Sequence, residues 1–146
     1  MASTFRHVGI VVADCEKYVN LFSSCLDFDL ISDEIESGEF ISHLLSLKEV
    51  KIRVAKLRDQ NGSVIEFIQY LNYAMIHRNV LVNSKGITHF AINTPNIEAT
   101  ISQLRAYNIK PINNPRINQT GDFKVVYLDF GESFFVELVE NIRRVE

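Results

Sequence analysis

Two histidines and two glutamates occupy matching places in the sequence, and their types suit a shared metal site. His7 and His89 each lie within a short, mostly apolar segment, one in each half of the chain. Glu66 and Glu137 each stand in the middle of another apolar segment, Val-Ile-Glu-Phe-Ile and Phe-Val-Glu-Leu-Val respectively. An ionised carboxylate on a buried strand face is costly unless it is paired or coordinates a metal. Because four residues obey one repeat, we interpret them as a single functional site.

The segments that carry the histidines are the first elements of this internal repeat. Residues 5–12 and 87–93 are each predicted to form a strand that includes the histidine. Asp14 and Asn96, separated by the same interval as the two histidines, are suited to cap the helix that follows each strand. The apolar residues that mark the buried face of these helices are Tyr18, Leu21, Phe22, Cys25 and Leu26 in the first half and Ile97, Ile101, Leu104 and Tyr107 in the second.

Three further strands are predicted after the helix in each half. The clearest are 51–57 and 63–71, joined by an Asn-Gly turn, and 123–130 and 133–140, joined by a Gly-Glu turn. Weaker strands near 28–32 and 111–117 complete a β-α-β-β-β order. The first half is longer than the second between its histidine and its glutamate, and we place this excess near 38–46 as a short helix or lid.

The predicted fold class is therefore α+β, with two βαβββ modules. We expect the first module at residues 1–72 and the second at 86–146. Residues 73–85 form the predicted linker, with some helical character around 73–79. Tyr127 could point toward the site, although a core position is favoured for it, and Lys56 is similarly placed in the first half and similarly undecided. Gln69 is expected on the strand face opposite to Glu66.

Composition excludes several other classes of protein. The formal net charge is −3 and the one basic pair is Arg143-Arg144, so a nucleic-acid partner is not expected. No apolar run approaches the roughly 20 residues that cross a bilayer, so we expect no membrane partner. The start of the chain has no apolar signal-peptide stretch. Cys15 and Cys25 lie too far apart along one predicted helix to form a disulfide, which favours reduced thiols and a cytoplasmic location.

Four sequence patterns resemble the vicinal-oxygen-chelate superfamily, which includes glyoxalase I, methylmalonyl-CoA epimerase, extradiol dioxygenases and bleomycin-resistance proteins. They are His-Val-Gly-Ile-Val-Val-Ala-Asp (7–14), Val-Ile-Glu-Phe-Ile (64–68), Gly-Ile-Thr-His-Phe-Ala-Ile (86–92) and Phe-Val-Glu-Leu-Val (135–139). The resemblance implies that the two modules pair into a U-shaped, partly open barrel around one metal site. It assigns His7, Glu66, His89 and Glu137 as the metal ligands.

The ligand set implied by this resemblance suits one divalent ion. Two neutral imidazoles and two carboxylates balance its charge, and mixed nitrogen and oxygen ligation favours Mn, Fe, Co, Ni or Zn over Mg or Ca. An octahedral ion would keep two adjacent positions for a substrate with vicinal oxygens and would stabilise an enediolate or enolate. The expected chemistry is proton abstraction next to a carbonyl, with Glu137 and Glu66 as the candidate catalytic bases.

Several positions depart from the best-known members and leave the substrate open. Glyoxalase I resembles the chain at the ligands but has an arginine where Val11 stands and an asparagine where Tyr70 stands. Methylmalonyl-CoA epimerases have a glutamine in place of Glu66 and a further base, for which Glu49 or Glu39 are candidates. We therefore predict an isomerase, epimerase or lyase acting on a small substrate, in a homodimer. The alternatives are an Fe(II) extradiol-type dioxygenase and a non-catalytic binding or resistance module.

Overall fold

The structure of the protein, a computed structural model, describes residues 1–143 and divides into two compact units, each built around its own sheet. The first unit comprises Met1–Ile76, and the second begins at His77. Residues 144–146, at the end of the predicted second module, lie outside the described residues, as does Arg144 of the terminal basic pair. Across residues 1–143, every helix is too short or too polar to cross a membrane.

The first unit has a four-stranded sheet with two helices. Its elements in chain order are β1 (Val8–Val11), α1 (Cys15–Cys25), β2 (Asp29–Ser37), α2 (Glu39–Leu45), β3 (Lys51–Arg58) and β4 (Val64–Tyr70). The strand order in the sheet is β1-β4-β3-β2. β1 runs parallel to β4, and the other neighbours are antiparallel. The first strand of the unit is thus paired with its last.

The second unit repeats this arrangement. Its elements are β5 (His89–Asn93), α3 (Ile97–Leu104) with a 3₁₀ turn (Arg105–Tyr107), β6 (Lys110–Pro111), β7 (Arg116–Ile117), β8 (Phe123–Asp129) and β9 (Phe135–Asn141). The main strand order is β5-β9-β8-β6, with β7 also paired to β8. β5 is parallel to β9, as β1 is to β4. The predicted α+β class with two βαβββ modules is confirmed.

One face of each sheet is covered by the first helix of its unit. Tyr18 and Phe22 of α1 are fully buried, and their rings lie 5.0 and 4.9 Å from that of Phe67 on β4. In the second unit, Ile97 and Leu104 of α3 are fully buried in the same way. Burying large side chains of this kind is the main favourable contribution to folding.

Side chains cap both helices at their N-termini, as the repeat predicted. Asp14 accepts a hydrogen bond from the Lys17 amide at 3.2 Å, and Asn96 accepts one from the Ala99 amide at 2.9 Å. The last strand of each unit adds a second cap. The Gln69 side chain accepts from the Cys15 amide, and the Glu140 carboxylate from the Ile97 amide, both at 2.9 Å. Each cap satisfies an N–H that the helix itself leaves unpaired.

The extra residues of the first half form α2, which packs on the sheet face opposite to α1. Its buried residue Ile41 joins a cluster with Val50, Ile52 and Val54. Ile52 and Val54 point to one face of the sheet. Ala55, which is paired with Phe67, points to the other face, the one that α1 covers. The prediction of a short helix near 38–46 is confirmed, and this helix covers one end of the sheet face that also carries Glu66.

Three local predictions are wrong or need new limits. Residues 73–79 are not helical: they adopt no regular structure, and the Asn72 and Tyr73 side chains bond to backbone groups at 48–51 instead. The predicted strand at 111–117 is interrupted at 112–115, between β6 and β7, where Pro115 cannot donate to a ladder. β1 begins at Val8, so His7 immediately precedes the strand.

Replacing Phe67 with alanine should lower the free energy of unfolding by about 3–5 kcal/mol, because it leaves a cavity between α1 and the sheet. Urea denaturation followed by circular dichroism measures this loss. The matched control is Phe40→Ala on α2, where the side chain is 79% exposed and little should change. Equal losses in the two variants would contradict the packing described for α1.

Candidate metal centre

In the first unit, His7 and Glu66 form a close pair on the sheet face turned away from α1. Their Nε2 and Oε2 atoms lie 3.5 Å apart, and the side chains are 29% and 14% exposed. The parallel register of β1 and β4 sets Gly9 opposite Glu66. Because side chains alternate along a strand, His7 and Gly9 project from the same face. The imidazole therefore lies beside the carboxylate.

In the second unit, His89 and Glu137 form the equivalent pair. Nε2 of His89 lies 3.4 Å from Oε2 of Glu137, with side-chain exposures of 37% and 24%. The register of β5 and β9 sets Ala91 opposite Glu137, as Gly9 is set opposite Glu66. In both halves the histidine thus lies two residues before the residue that is paired with the glutamate. Each half therefore brings one imidazole nitrogen close to one carboxylate oxygen.

Two further side chains reach these pairs, and the sequence left both undecided. Lys56 lies directly across from Glu66 in the β3–β4 register, with Nζ 3.6 Å from Oε2. Tyr127 lies across from Glu137, and its hydroxyl makes a 3.1 Å hydrogen bond with Nε2 of His89. Burial, with the nearby Glu137 charge, raises the pKa of Tyr127 and keeps its hydroxyl protonated. Lys56 and Tyr127 precede their glutamates by the same interval in sequence. This interval across each predicted hairpin was the signal that could have placed them opposite the glutamates.

The other residues considered from sequence lie elsewhere. Gln69 caps α1 on the opposite face from Glu66, as predicted. Glu39 and Glu49, the candidates for a further base, line a separate cavity of about 440 Å³ near the start of β3. Glu49 precedes β3, whereas Lys56 lies about 16 Å along the strand from its first residue, Lys51. The other two histidines of the chain, His43 and His77, are exposed.

The donor types in the two pairs fit a divalent transition metal. Imidazole nitrogen and carboxylate oxygen suit Mn, Fe, Co, Ni or Zn. The 3.4 and 3.5 Å separations exceed a normal hydrogen bond, so neither imidazole is tightly bonded to its carboxylate. Within residues 1–143, no three His, Cys, Asp or Glu side chains are grouped closely enough to hold an ion. The assignment of all four residues to one ion stays a prediction.

Comparison with known proteins identifies the family. The model of the glyoxalase/bleomycin resistance protein/dioxygenase superfamily matches residues 6–127, which is most of the chain. The chain belongs to this superfamily, as its sequence patterns indicated. No curated protein matches the chain.

Solved structures share the fold at low sequence identity. A glyoxalase family protein from Bacillus cereus is 19% identical, with a TM-score of 0.86 over 98% of this chain and 97% of that protein. A glyoxalase I variant from Zea mays is 15% identical with a TM-score of 0.67, over 94% of this chain and 44% of that one. The fosfomycin resistance protein FosX from Listeria monocytogenes, complexed with Mn(II) and sulfate, is 13% identical with a TM-score of 0.56, over 97% and 94%.

The buried thiol of Cys15 serves packing and is poorly suited to act as a nucleophile. Its Sγ donates to the Phe67 carbonyl at 3.3 Å, and both cysteines are free thiols. Burial raises the pKa of Cys15 from 9.0 to about 11. The folded state therefore holds the thiol proton more tightly than the unfolded state. The contribution of this proton to the free energy of unfolding is fully present below pH 9 and is lost as the pH rises toward 11.

In a Cys25→Ser variant, the remaining thiol, Cys15, should react about 100-fold more slowly with a chromogenic disulfide reagent at pH 8 when folded than when unfolded in urea. The reason is the smaller thiolate fraction and the lack of access. A Cys15→Ser variant, which retains the half-buried Cys25, is the control and should show a smaller difference. Equal rates for folded and unfolded Cys15 would contradict this structural role.

Proposed function

We propose that this protein is a divalent-metal-dependent isomerase, epimerase or lyase of glyoxalase type. Its substrate is a small molecule with two vicinal oxygens, from which it removes a proton next to a carbonyl. The observation that carries the proposal is the repeated His–Glu pair, placed by the same strand register in each half. Family membership supports a metal, since Mn(II) accompanies the similar structure of FosX.

The ion would be held by His7, Glu66, His89 and Glu137, with Mn, Fe, Co, Ni or Zn as the candidates. When bound, it supplies two free positions and the positive charge that stabilises negative charge developing on the substrate oxygens. The protein is proposed to work as a homodimer, as members of the family often do. Light scattering measures whether its mass is twice the 16.7 kDa of one chain.

Glu137 is our first candidate for the base, and Glu66 is the second. The Glu137 side chain is 24% exposed and that of Glu66 is 14% exposed, so substrate reaches Glu137 more easily. A Glu137 oxygen would take the proton from the carbon next to the carbonyl, and the C–H electron pair would move into the C–C bond toward the carbonyl oxygen. Returning the proton to the opposite face or to the neighbouring carbon completes an epimerisation or an isomerisation.

Tyr127 is proposed to orient the second pair. Its hydroxyl contacts Nε2 of His89 and interacts with Glu137. The neutral hydroxyl can donate to a carboxylate oxygen or accept from an imidazole N–H, and it thereby limits the rotation of both side chains. Lys56 occupies the equivalent place in the first pair but carries a charge.

The purified protein should bind about one divalent ion per chain, and a His7→Ala/Glu137→Ala double variant should bind none. Elemental analysis after loading with Mn²⁺, Fe²⁺, Ni²⁺ or Zn²⁺ measures the content. The control is Glu34→Gln, which alters an exposed carboxylate on β2 and should leave the content unchanged. The absence of metal from the loaded wild-type protein would refute the proposed function and favour a non-catalytic binding module of the same fold.

Glu137→Gln should lower metal-dependent turnover of an enolisable carbonyl substrate by about 10²–10⁴-fold, because the amide cannot accept the proton. The measurement is single-turnover exchange of the substrate carbon proton with deuterated solvent. Full turnover in metal-free protein would contradict the mechanism. Oxygen consumption with catechols would indicate the dioxygenase alternative, and stoichiometric binding that is independent of His7 and His89 would indicate a binding module.

A further inference from the structure

Lys56 brings a positive charge to the first His–Glu pair. Its Nζ lies 3.6 Å from Oε2 of Glu66, and the same carboxylate oxygen is 3.5 Å from Nε2 of His7. The lysine side chain is 31% exposed, so its ammonium group is partly withdrawn from water. The carboxylate is thus shared between the lysine and the nitrogen that would bind the metal.

Among the residues that the structure describes, no lysine or arginine forms an ion pair with the second His–Glu pair. Tyr127 occupies the place of Lys56 in the repeat, because each lies directly across from the glutamate of its own half. Among residues 1–143, Lys56 is the one lysine or arginine that forms an ion pair with any of the four candidate ligands. The two halves of the repeat therefore have the same candidate ligands but differ in the charge of the side chain beside them.

This difference matters once a divalent ion is bound. Two carboxylates and two neutral imidazoles balance the ion, which leaves the charge of Lys56 without its own counterion. Two cations that share one partly buried carboxylate repel each other, and the repulsion is stronger away from bulk water. A negatively charged group of the ligand beside Lys56 removes this imbalance.

We propose that Lys56 is a specificity-determining residue that binds an anionic group of the substrate. The substrate is then a small acid whose carboxylate or phosphonate lies next to the oxygens that chelate the metal. This inference rests on the proposed metal-dependent function. Lysine suits the role because its flexible stem and three donors let the ammonium group turn from Glu66 toward an incoming anion.

The test compares ligands that differ in charge, using Mn²⁺-loaded protein and ligand binding followed by water-proton relaxation. Glycolate and hydroxyacetone both present a hydroxyl next to a carbonyl, but only glycolate is anionic. Lys56→Met should weaken glycolate binding about 10-fold, the usual effect of losing one charge-assisted hydrogen bond, and should leave hydroxyacetone binding within about twofold. Lys51→Met is the matched control, because Lys51 lies on the same strand but faces the other side of the sheet.

A second readout separates this role from simple structural support. Because Lys56 competes with the metal for Glu66, Lys56→Met should bind Mn²⁺ a few-fold more tightly while it binds glycolate more weakly. Damage to the fold would weaken both. Hydroxymethylphosphonate, tested beside glycolate, shows which anion is preferred. If Lys56→Met weakens the binding of either anion, the proposal is supported. If it weakens the binding of neither anion, the proposal is overturned.

The failure of this inference can be distinguished from the failure of the proposed function. If wild-type protein binds Mn²⁺ but Lys56→Met leaves glycolate and phosphonate binding unchanged, the metal site stands and the anion-binding role is overturned. If wild-type protein binds no Mn²⁺, the proposed function is overturned. The two anions are then titrated into metal-free protein, where binding that Lys56→Met weakens supports the anion site and equal binding overturns it.

Discussion

The parallel pairing of the first and last strands in each half is the constraint on which the candidate site depends. His7 and Glu66 stand near opposite ends of the first half in sequence, and the β1–β4 register alone brings them within 3.5 Å. The β5–β9 pairing does the same for His89 and Glu137. Parallel neighbours cannot be joined by a tight turn and need a long connection. The intervening helix and hairpin are therefore required to form each pair at all.

The two faces of each sheet have separate roles, and the last strand serves both. On β4, Phe67 packs against α1 and Gln69 caps that helix, while Glu66 points to the opposite face. On β9, Glu140 caps α3 and Glu137 points away. Because side chains alternate, a shift of one residue in register would move the carboxylate into the helix interface and the apolar side chains out of it. Core packing thus holds each glutamate beside its histidine.

The halves have diverged where the fold tolerates change. The first half carries α2 over one end of the sheet face that bears Glu66, and it has a lysine beside this glutamate. In the second half, the residues up to 143 show neither feature, and a tyrosine lies beside the histidine instead. These differences leave the strand register unchanged, so they alter the charge and exposure around the two His–Glu pairs without altering the pairs themselves. The two His–Glu pairs therefore share one backbone arrangement but have different chemical surroundings.

The sequence by itself determined the repeat, the βαβββ order, the capping residues and the equivalent places of the two histidines and two glutamates, because each depends on local periodicity or on a fixed spacing; their assignment as metal ligands came from the family resemblance. It could not decide the orientation of Lys56 and Tyr127, which depends on cross-strand register between β3 and β4 and between β8 and β9. It misjudged residues 73–79 as helical: the Asn72 and Tyr73 side chains, where this segment begins, bond to backbone groups at 48–51, which lie outside any local window. The second helix caps, from Gln69 and Glu140, likewise join residues that are distant in sequence. Tertiary structure decided these features because hydrogen bonds between distant segments leave no periodic trace in the sequence.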